Sequence, residues 1–141
     1  IGAKLAAPGT PVVGLVGDGS MYYADSGLWT AAHHGIPVLY LIANNGGYGI
    51  VAGAFGKAGG VMHETVEYAG VRLDGIAPVS ISTGFGVEAY RVDQESQIGA
   101  AIDHGLEVVE KERRPYLLDV RLPIGLPSGG RAAVPYQLAD S

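Results

Sequence analysis

The sequence predicts an α/β fold, a three-layer α/β/α arrangement around a mainly parallel sheet, and three observations carry that prediction. Residues 12–16 (VVGLV) and 38–43 (VLYLIA) are short, continuously apolar runs, the pattern of strands buried on both faces. A stretch with helical character lies between them. Each run empties into a loop of small and polar residues: Gly17-Asp18-Gly19-Ser20 after the first, Asn44-Asn45-Gly46-Gly47-Tyr48-Gly49 after the second. A strand, a helix and a parallel strand form a right-handed crossover, which places both loops at one edge of the sheet. In open α/β sheets that edge is where ligands sit.

In chain order, residues 1–7 carry apolar positions Ile1 and Leu5 with Ala3, Ala6 and Ala7, and read as the last turns of a helix ended by Pro8-Gly9. A domain rarely opens inside a helix, so a longer gene product with this sequence as its C-terminal part is expected. Residues 12–16 form a central strand. Gly17 and Gly19 then allow a sharp turn and close approach by a ligand. A helix is expected from Ser20 or Met21 to about His34, stopped by Gly35 with Pro37 following. The free N–H groups at its start, and the Ser20 hydroxyl, would favour an anion. Residues 38–43 form the second strand.

Residues 46–60 hold seven glycines, each costing about 1 kcal/mol in a helix relative to Ala. A weak helical turn and a loop ordered mainly by ligand are therefore expected, with further loop over 61–78, where Asp74-Gly75 and Pro78 act as breakers. A short helix over 79–85 ends at Gly86, and 87–92 is a third strand. Asp93 is expected to cap a helix over 94–111 whose stripe is Ile98, Ile102, Leu106 and Val109. Residues 116–122 form a fourth strand. Residues 123–141 read as an extended tail whose Val134, Tyr136 and Leu138 could dock elsewhere.

Composition narrows the function classes. At 141 residues the chain has room for one ordinary core and not for two. A net charge of −5 with scattered Lys and Arg offers no basic stripe for nucleic acid. The longest apolar run, 36–43, contains a proline and is too short for a membrane span. The absence of cysteine removes thiolate metal sites. The remaining candidate ligands at the two loops are oxygens: the Asp18 carboxylate, the Asn45 amide and backbone carbonyls. Such a set suits Mg²⁺ or Ca²⁺, bridging to a phosphate.

Gly-Asp-Gly, then 24 residues, then Asn-Asn on a strand–helix–strand frame resembles the metal and diphosphate motif of the thiamine diphosphate-dependent enzymes. Gly17-Asp18-Gly19-Ser20, Leu28-Trp29-Thr30-Ala31-Ala32 and Asn44-Asn45-Gly46-Gly47-Tyr48-Gly49 are most similar to the benzoylformate decarboxylase branch. The resemblance spans roughly residues 1–122, as a thiamine diphosphate-binding C-terminal domain lacking its start. It implies thiamine diphosphate and Mg²⁺ as cofactors, with Ca²⁺ as an alternative ion. It implies that Asp18, Asn45 and the Gly47 carbonyl ligate the metal. Gly17, Gly19, Ser20, Asn45, Gly47 and Tyr48 would contact the cofactor.

The same resemblance assigns no catalytic residue to this chain. The glutamate that activates the cofactor belongs to an N-terminal pyrimidine-binding domain, contributed by a neighbouring subunit of a homodimer or homotetramer. The implied reaction is decarboxylation of a 2-oxo acid to an aldehyde and CO₂, in a cytoplasmic protein. Two alternatives stand beside it: an acetolactate synthase-like carboligase, and a non-catalytic domain that binds a metal–diphosphate ligand or scaffolds a partner. Ile50, Val51 and Ala54 follow the metal loop and read either as substrate-pocket wall or as core. His33-His34 read as helix-closing groups, where imidazole meets the C-terminal dipole. His63 and His104 lack metal-ligand spacing, and Glu64 and Glu67 read as solvated loop charges.

Overall fold

The computed structural model describes residues 1–65, 69–73 and 75–123. The chain divides into two compact units, residues 1–44 with 77–121 and a second around residues 45–76.

The first unit is built on four parallel strands, β1 (Val13–Gly17), β2 (Leu39–Asn44), β3 (Glu88–Val92) and β4 (Tyr116–Arg121), in the order β1-β2-β4-β3. Alternation along the strands separates two apolar layers. Leu39, Val92, Tyr116 and Leu118 face one side and pack with Ala101, Val108 and Val109 from the helix α7 (Ile98–Glu107) and its π-helical continuation, Val108–Glu112. The predicted stripe is present, with Ile98, Ile102 and Leu106 packed against this cluster and Val109 within it. Ile42 and Leu117 face the other side. There they meet Met21 of α2 (Asp18–Met21), Leu28 of α3 (Ser26–His33), and Ile81 of α6 (Pro78–Gly84). Helices thus cover both faces, which makes the α/β/α sandwich. The chain opens on a short helix, α1 (Gly2–Ala6), as expected, and its Lys4 donates to the Thr10 carbonyl at 2.7 Å.

Four expectations change. β1 is an edge strand among the described residues, and its Val13 and Leu15 are 47% and 76% exposed rather than buried. The helix expected from Ser20 to His34 is broken into α2 and α3. Residues 22–25 bond largely i to i−3, Tyr23 to Ser20 and Ala24 to Met21, which tightens the turn and interrupts the α-helix. Gly35 ends α3 as expected, at φ 58°, with the Ile36 N–H on the Ala31 carbonyl. Asp93 does not cap the α7 region: its carboxylate accepts from Arg91 Nε at 2.8 Å, and the first turn, Glu95–Gln97, has no side-chain cap.

The fourth change concerns the second unit. Residues expected to be a weak turn form a ten-residue helix, α4 (Gly49–Ala58), followed by α5 (Val61–Thr65). Packing overrides propensity here. Ala52 and Val71 are each 1% exposed and form a small core with Tyr48 and Met62. The tail expected over 123–141 lies, from residue 124 on, outside the described residues.

Candidate cofactor and metal site

In the first unit, β1 and β2 run parallel and in register, Val16 beside Ile42 and Gly17 beside Ala43. Their C-terminal ends therefore share one edge of the sheet. Gly17 leaves β1 with extended backbone and Asp18 begins α2 at once. Gly17 and Ser20 are exposed, whereas Asp18 and Gly19 are buried. Asp18 is only 3% exposed, and its Oδ2 has no hydrogen-bond partner among the described residues. A buried acceptor left unpaired costs free energy, about 1–3 kcal/mol for a neutral group and more for a charge. Such an atom is what a hard cation would satisfy.

At the end of β2, Asn44 is 2% exposed and donates from Nδ2 to Asp119 Oδ1 at 2.7 Å. Asp119 sits on β4 beside Ile42 and is itself 2% exposed. Burial pushes its carboxyl above the ordinary aspartate range. The Asn44 hydrogen bond pulls it back, as do Arg121 and Arg91 more weakly, and the Asp18 charge adds to the rise. Beside Ser20 and Met21 lies a cavity of about 320 Å³, lined also by Leu28, Tyr40 and Ile42. The Tyr40 hydroxyl is buried without a partner among the described residues, and its burial raises the phenol pKa, so it stays a neutral donor.

The second unit begins with Asn45, which follows the last residue of β2. The Asn45 side-chain oxygen accepts the Gly47 N–H at 3.2 Å, folding the loop into an Asx-type turn. Gly46, with φ 69°, lies between them. Gly47 forms an isolated antiparallel bridge with Arg72, and the Tyr48 N–H donates to the Val71 carbonyl at 2.9 Å. Tyr48 then immediately precedes α4. The predicted residues are therefore divided between the units, Gly17, Asp18, Gly19 and Ser20 in the first and Asn45, Gly47 and Tyr48 in the second. The first unit offers the Asp18 carboxylate and the second the Asn45 amide and the Gly47 carbonyl, each a hard oxygen donor of the type that Mg²⁺ and Ca²⁺ take. Among the described residues no group of three His, Cys, Asp or Glu side chains could hold a metal.

The secondary candidates resolve structurally. His33 closes α3 and stacks on Trp29, with ring centroids 4.7 Å apart, while His34 meets His33 edge-on. His104 sits edge-on to Tyr116 at 5.4 Å. Glu64 and His63 lie in α5 and not in a loop, and Glu67 is outside the described residues. Ile50 is 88% and Val51 42% exposed, and Ala54 is exposed too. Core packing among the described residues therefore does not account for them. Ala52 is the buried member of that helix.

Residues 1–120 match the model of the family "Thiamine pyrophosphate enzyme, C-terminal TPP binding domain", and the chain belongs to that family. It is 34% identical over 120 residues to benzoylformate decarboxylase of Pseudomonas aeruginosa, an alignment covering 85% of this chain and 21% of the relative. It is also 34% identical over 129 residues to a Mycobacterium tuberculosis protein named "Putative acetolactate synthase large subunit IlvX", covering 87% and 24% respectively. Among solved structures it resembles the thiamine diphosphate-dependent 4-hydroxybenzoylformate decarboxylase of Rhodococcus jostii RHA1. That match has a TM-score of 0.74 and 36% identity, over 87% of this chain and 22% of the other. The chain thus spans about a fifth of the length of the relatives it matches. Among the described residues no helix is long and apolar enough to cross a membrane.

Two groups near the predicted residues escaped the sequence reading. Asp119 interrupts the apolar run Tyr116-Leu117-Leu118-Asp119-Val120 of β4, and that interruption was its available signal. The pairing of 71–73 with 46–48 carries no sequence pattern, since a single bridge between loops has no periodicity.

Proposed function

We propose that this chain is the thiamine diphosphate- and Mg²⁺-holding part of a 2-oxo acid decarboxylase of the benzoylformate decarboxylase type. The observation that carries this reading is the buried Asp18 oxygen, unpaired among the described residues, in a Gly-Asp-Gly-Ser turn at the sheet edge where β2 ends in Asn44 and leads into Asn45. The similarity to two decarboxylases supports the reaction class. Asp18, the Asn45 amide oxygen and the Gly47 carbonyl hold the metal. Gly17, Gly19, Ser20 and Tyr48 orient the diphosphate. A cation held there would neutralise the phosphates in a chain that is itself acidic, with net charge −5.

Thiamine diphosphate, when bound, supplies a carbon nucleophile for the ketone of the 2-oxo acid, so the protein's task is to bind and orient it. This chain's own contribution is the anchor, and no catalytic residue is assigned to it. The exposed Ile50, Val51 and Ala54 are available as an apolar wall for an aromatic or branched substrate. The pyrimidine-binding domain is supplied by a neighbouring subunit of a homodimer or homotetramer. A second reading, an acetolactate synthase-like carboligase, is favoured by the similarity to the mycobacterial protein. A non-catalytic metal–diphosphate-binding domain is the third.

The test is calorimetric titration of the whole protein with thiamine diphosphate, with and without Mg²⁺, in the parent and in Asp18→Ala and Asn45→Ala. The expected result is Mg²⁺-dependent binding that both substitutions abolish. Normal affinity in either variant overturns the metal assignment. Product analysis with benzoylformate and with pyruvate then separates the enzyme readings: free aldehyde supports the decarboxylase, a coupled hydroxyketone acid the carboligase. Tight binding without turnover of either supports the third reading.

A further inference from the structure

The loop that follows β2 is gripped from one side by main chain. Gly47 is bridged antiparallel to Arg72, with the Tyr48 N–H on the Val71 carbonyl at 2.9 Å and the Leu73 N–H on the Gly46 carbonyl at 3.0 Å. A Cβ on residue 47 would stand 2.9 Å from the Val71 carbonyl oxygen and 3.8 Å from the Arg72 Cα. The space a side chain would take is filled by backbone, which cannot rotate aside as a flexible side chain can. Nor can residue 71 retreat cheaply. Val71 is 1% exposed and packs with Ala52, Tyr48 and Met62, so shifting it opens the small core of this unit. The bridge therefore joins a core-anchored residue to a loop whose peptide orientation it determines.

We propose that residues 71–73 are a backbone clamp that aims the Gly47 carbonyl, with Val71 and Leu73 as positioning residues and glycine required at 47 for their approach. The inference rests on the reading above, in which that carbonyl ligates the metal. Mg²⁺ demands near-octahedral geometry at about 2.0–2.1 Å, whereas Ca²⁺ tolerates irregular ligand directions. A mis-aimed carbonyl therefore penalises Mg²⁺ more than Ca²⁺, while a general loosening of the unit penalises both alike.

The experiment measures Mg²⁺ and Ca²⁺ affinities of the whole protein by calorimetry at saturating thiamine diphosphate. Melting temperature without metal and hydrogen exchange at Tyr48 and Leu73 are followed alongside. The variants are Gly47→Ala, Gly47→Val, Leu73→Pro, Arg72→Ala and Asp18→Ala. Gly47→Ala, Gly47→Val and Leu73→Pro are expected to lose tenfold or more in Mg²⁺ affinity and severalfold less in Ca²⁺ affinity, with faster exchange at Tyr48. Arg72→Ala should stay within twofold of the parent, because the bridge uses main-chain atoms. If Leu73→Pro does not fold, the Gly47→Ala and Gly47→Val series still decides the matter. Parent-like Mg²⁺ affinity in Gly47→Val, or an equal loss for both ions, overturns the clamp while Asp18→Ala still reports the ligand reading. Parent-like binding in Asp18→Ala overturns the ligand reading and the clamp with it.

Discussion

Asn44 and Asp119, 75 residues apart in sequence, are joined by a 2.7 Å hydrogen bond between neighbouring parallel strands. Each is 2% exposed, so the bond lies in the sheet beside the Gly17–Ser20 turn and fixes the end of β2 from which Asn45 departs. Asp119→Leu keeps the branched shape, though not the volume, and strips Asn44 of this acceptor. It should destabilise the fold by about 1–3 kcal/mol, the usual cost of removing one partner of a buried bond. Asp119→Asn retains an acceptor oxygen and should cost less. Urea denaturation of the three proteins decides this, and equal midpoints would show that the bond contributes nothing.

The unpaired Asp18 oxygen predicts a stability trade-off at the turn. In EDTA, Asp18→Ala should be as stable as the parent or more so, by up to about 2 kcal/mol, because a buried uncompensated acceptor is removed. With Mg²⁺ and thiamine diphosphate the order should reverse. A ligand at 100 times its Kd stabilises the parent by about 2.7 kcal/mol and does nothing for a variant that cannot bind it. Thermal melts in the two buffers measure both halves. A parent that is the more stable in EDTA would refute the first.

Two glycines of α7 should respond oppositely to alanine. Gly99 is exposed, with no described atom beyond its chain neighbours and its own helix backbone within 4 Å of the place a Cβ would take, so Gly99→Ala should stabilise by about 0.5–1 kcal/mol through helix propensity. At Gly105 a Cβ would come within 2.7 Å of Leu39 Cδ1 and 3.3 Å of Tyr116 Cδ1. Both neighbours are buried in the core, and overpacking of that kind costs about 1–3 kcal/mol, more than propensity returns. Denaturation midpoints of the two single variants test the contrast.

Lys111 and Glu107 form an exposed i,i+4 pair at 2.7 Å. The Lys111 hydrogen bond, and then its charge, hold the Glu107 carboxyl below its ordinary value. A depressed folded pKa contributes stability above the unfolded value, and that contribution is lost as pH falls through the folded one. Lys111→Ala should therefore return Glu107 toward the ordinary glutamate range, and 1 M salt should do the same by screening. A carboxyl NMR titration reads the shift directly. The stability difference between parent and variant should be small at neutral pH and vanish in acid.

How much was legible in the sequence depended on whether the signal was local. The strands over 39–44, 88–92 and 116–121, the Gly35 stop and the stripe of α7 were readable because period and turn chemistry are carried by adjacent residues. The Asp18 and Asn45 motif was readable for the same reason, being two short strings at a set spacing. Tertiary structure decided the rest. It made β1 an edge strand in the described sheet, gave glycine-rich 49–58 enough packing through Ala52 and Val71 to hold a helix, and drew Asp93 to Arg91. It also joined Asn44 to Asp119 and set the Val71 carbonyl against Gly47, contacts between residues 75 and 24 positions apart that no local pattern encodes. The physical division is plain: propensity and motif spacing are short-range properties of the chain, while burial, pairing and close approach exist only once distant segments share a core.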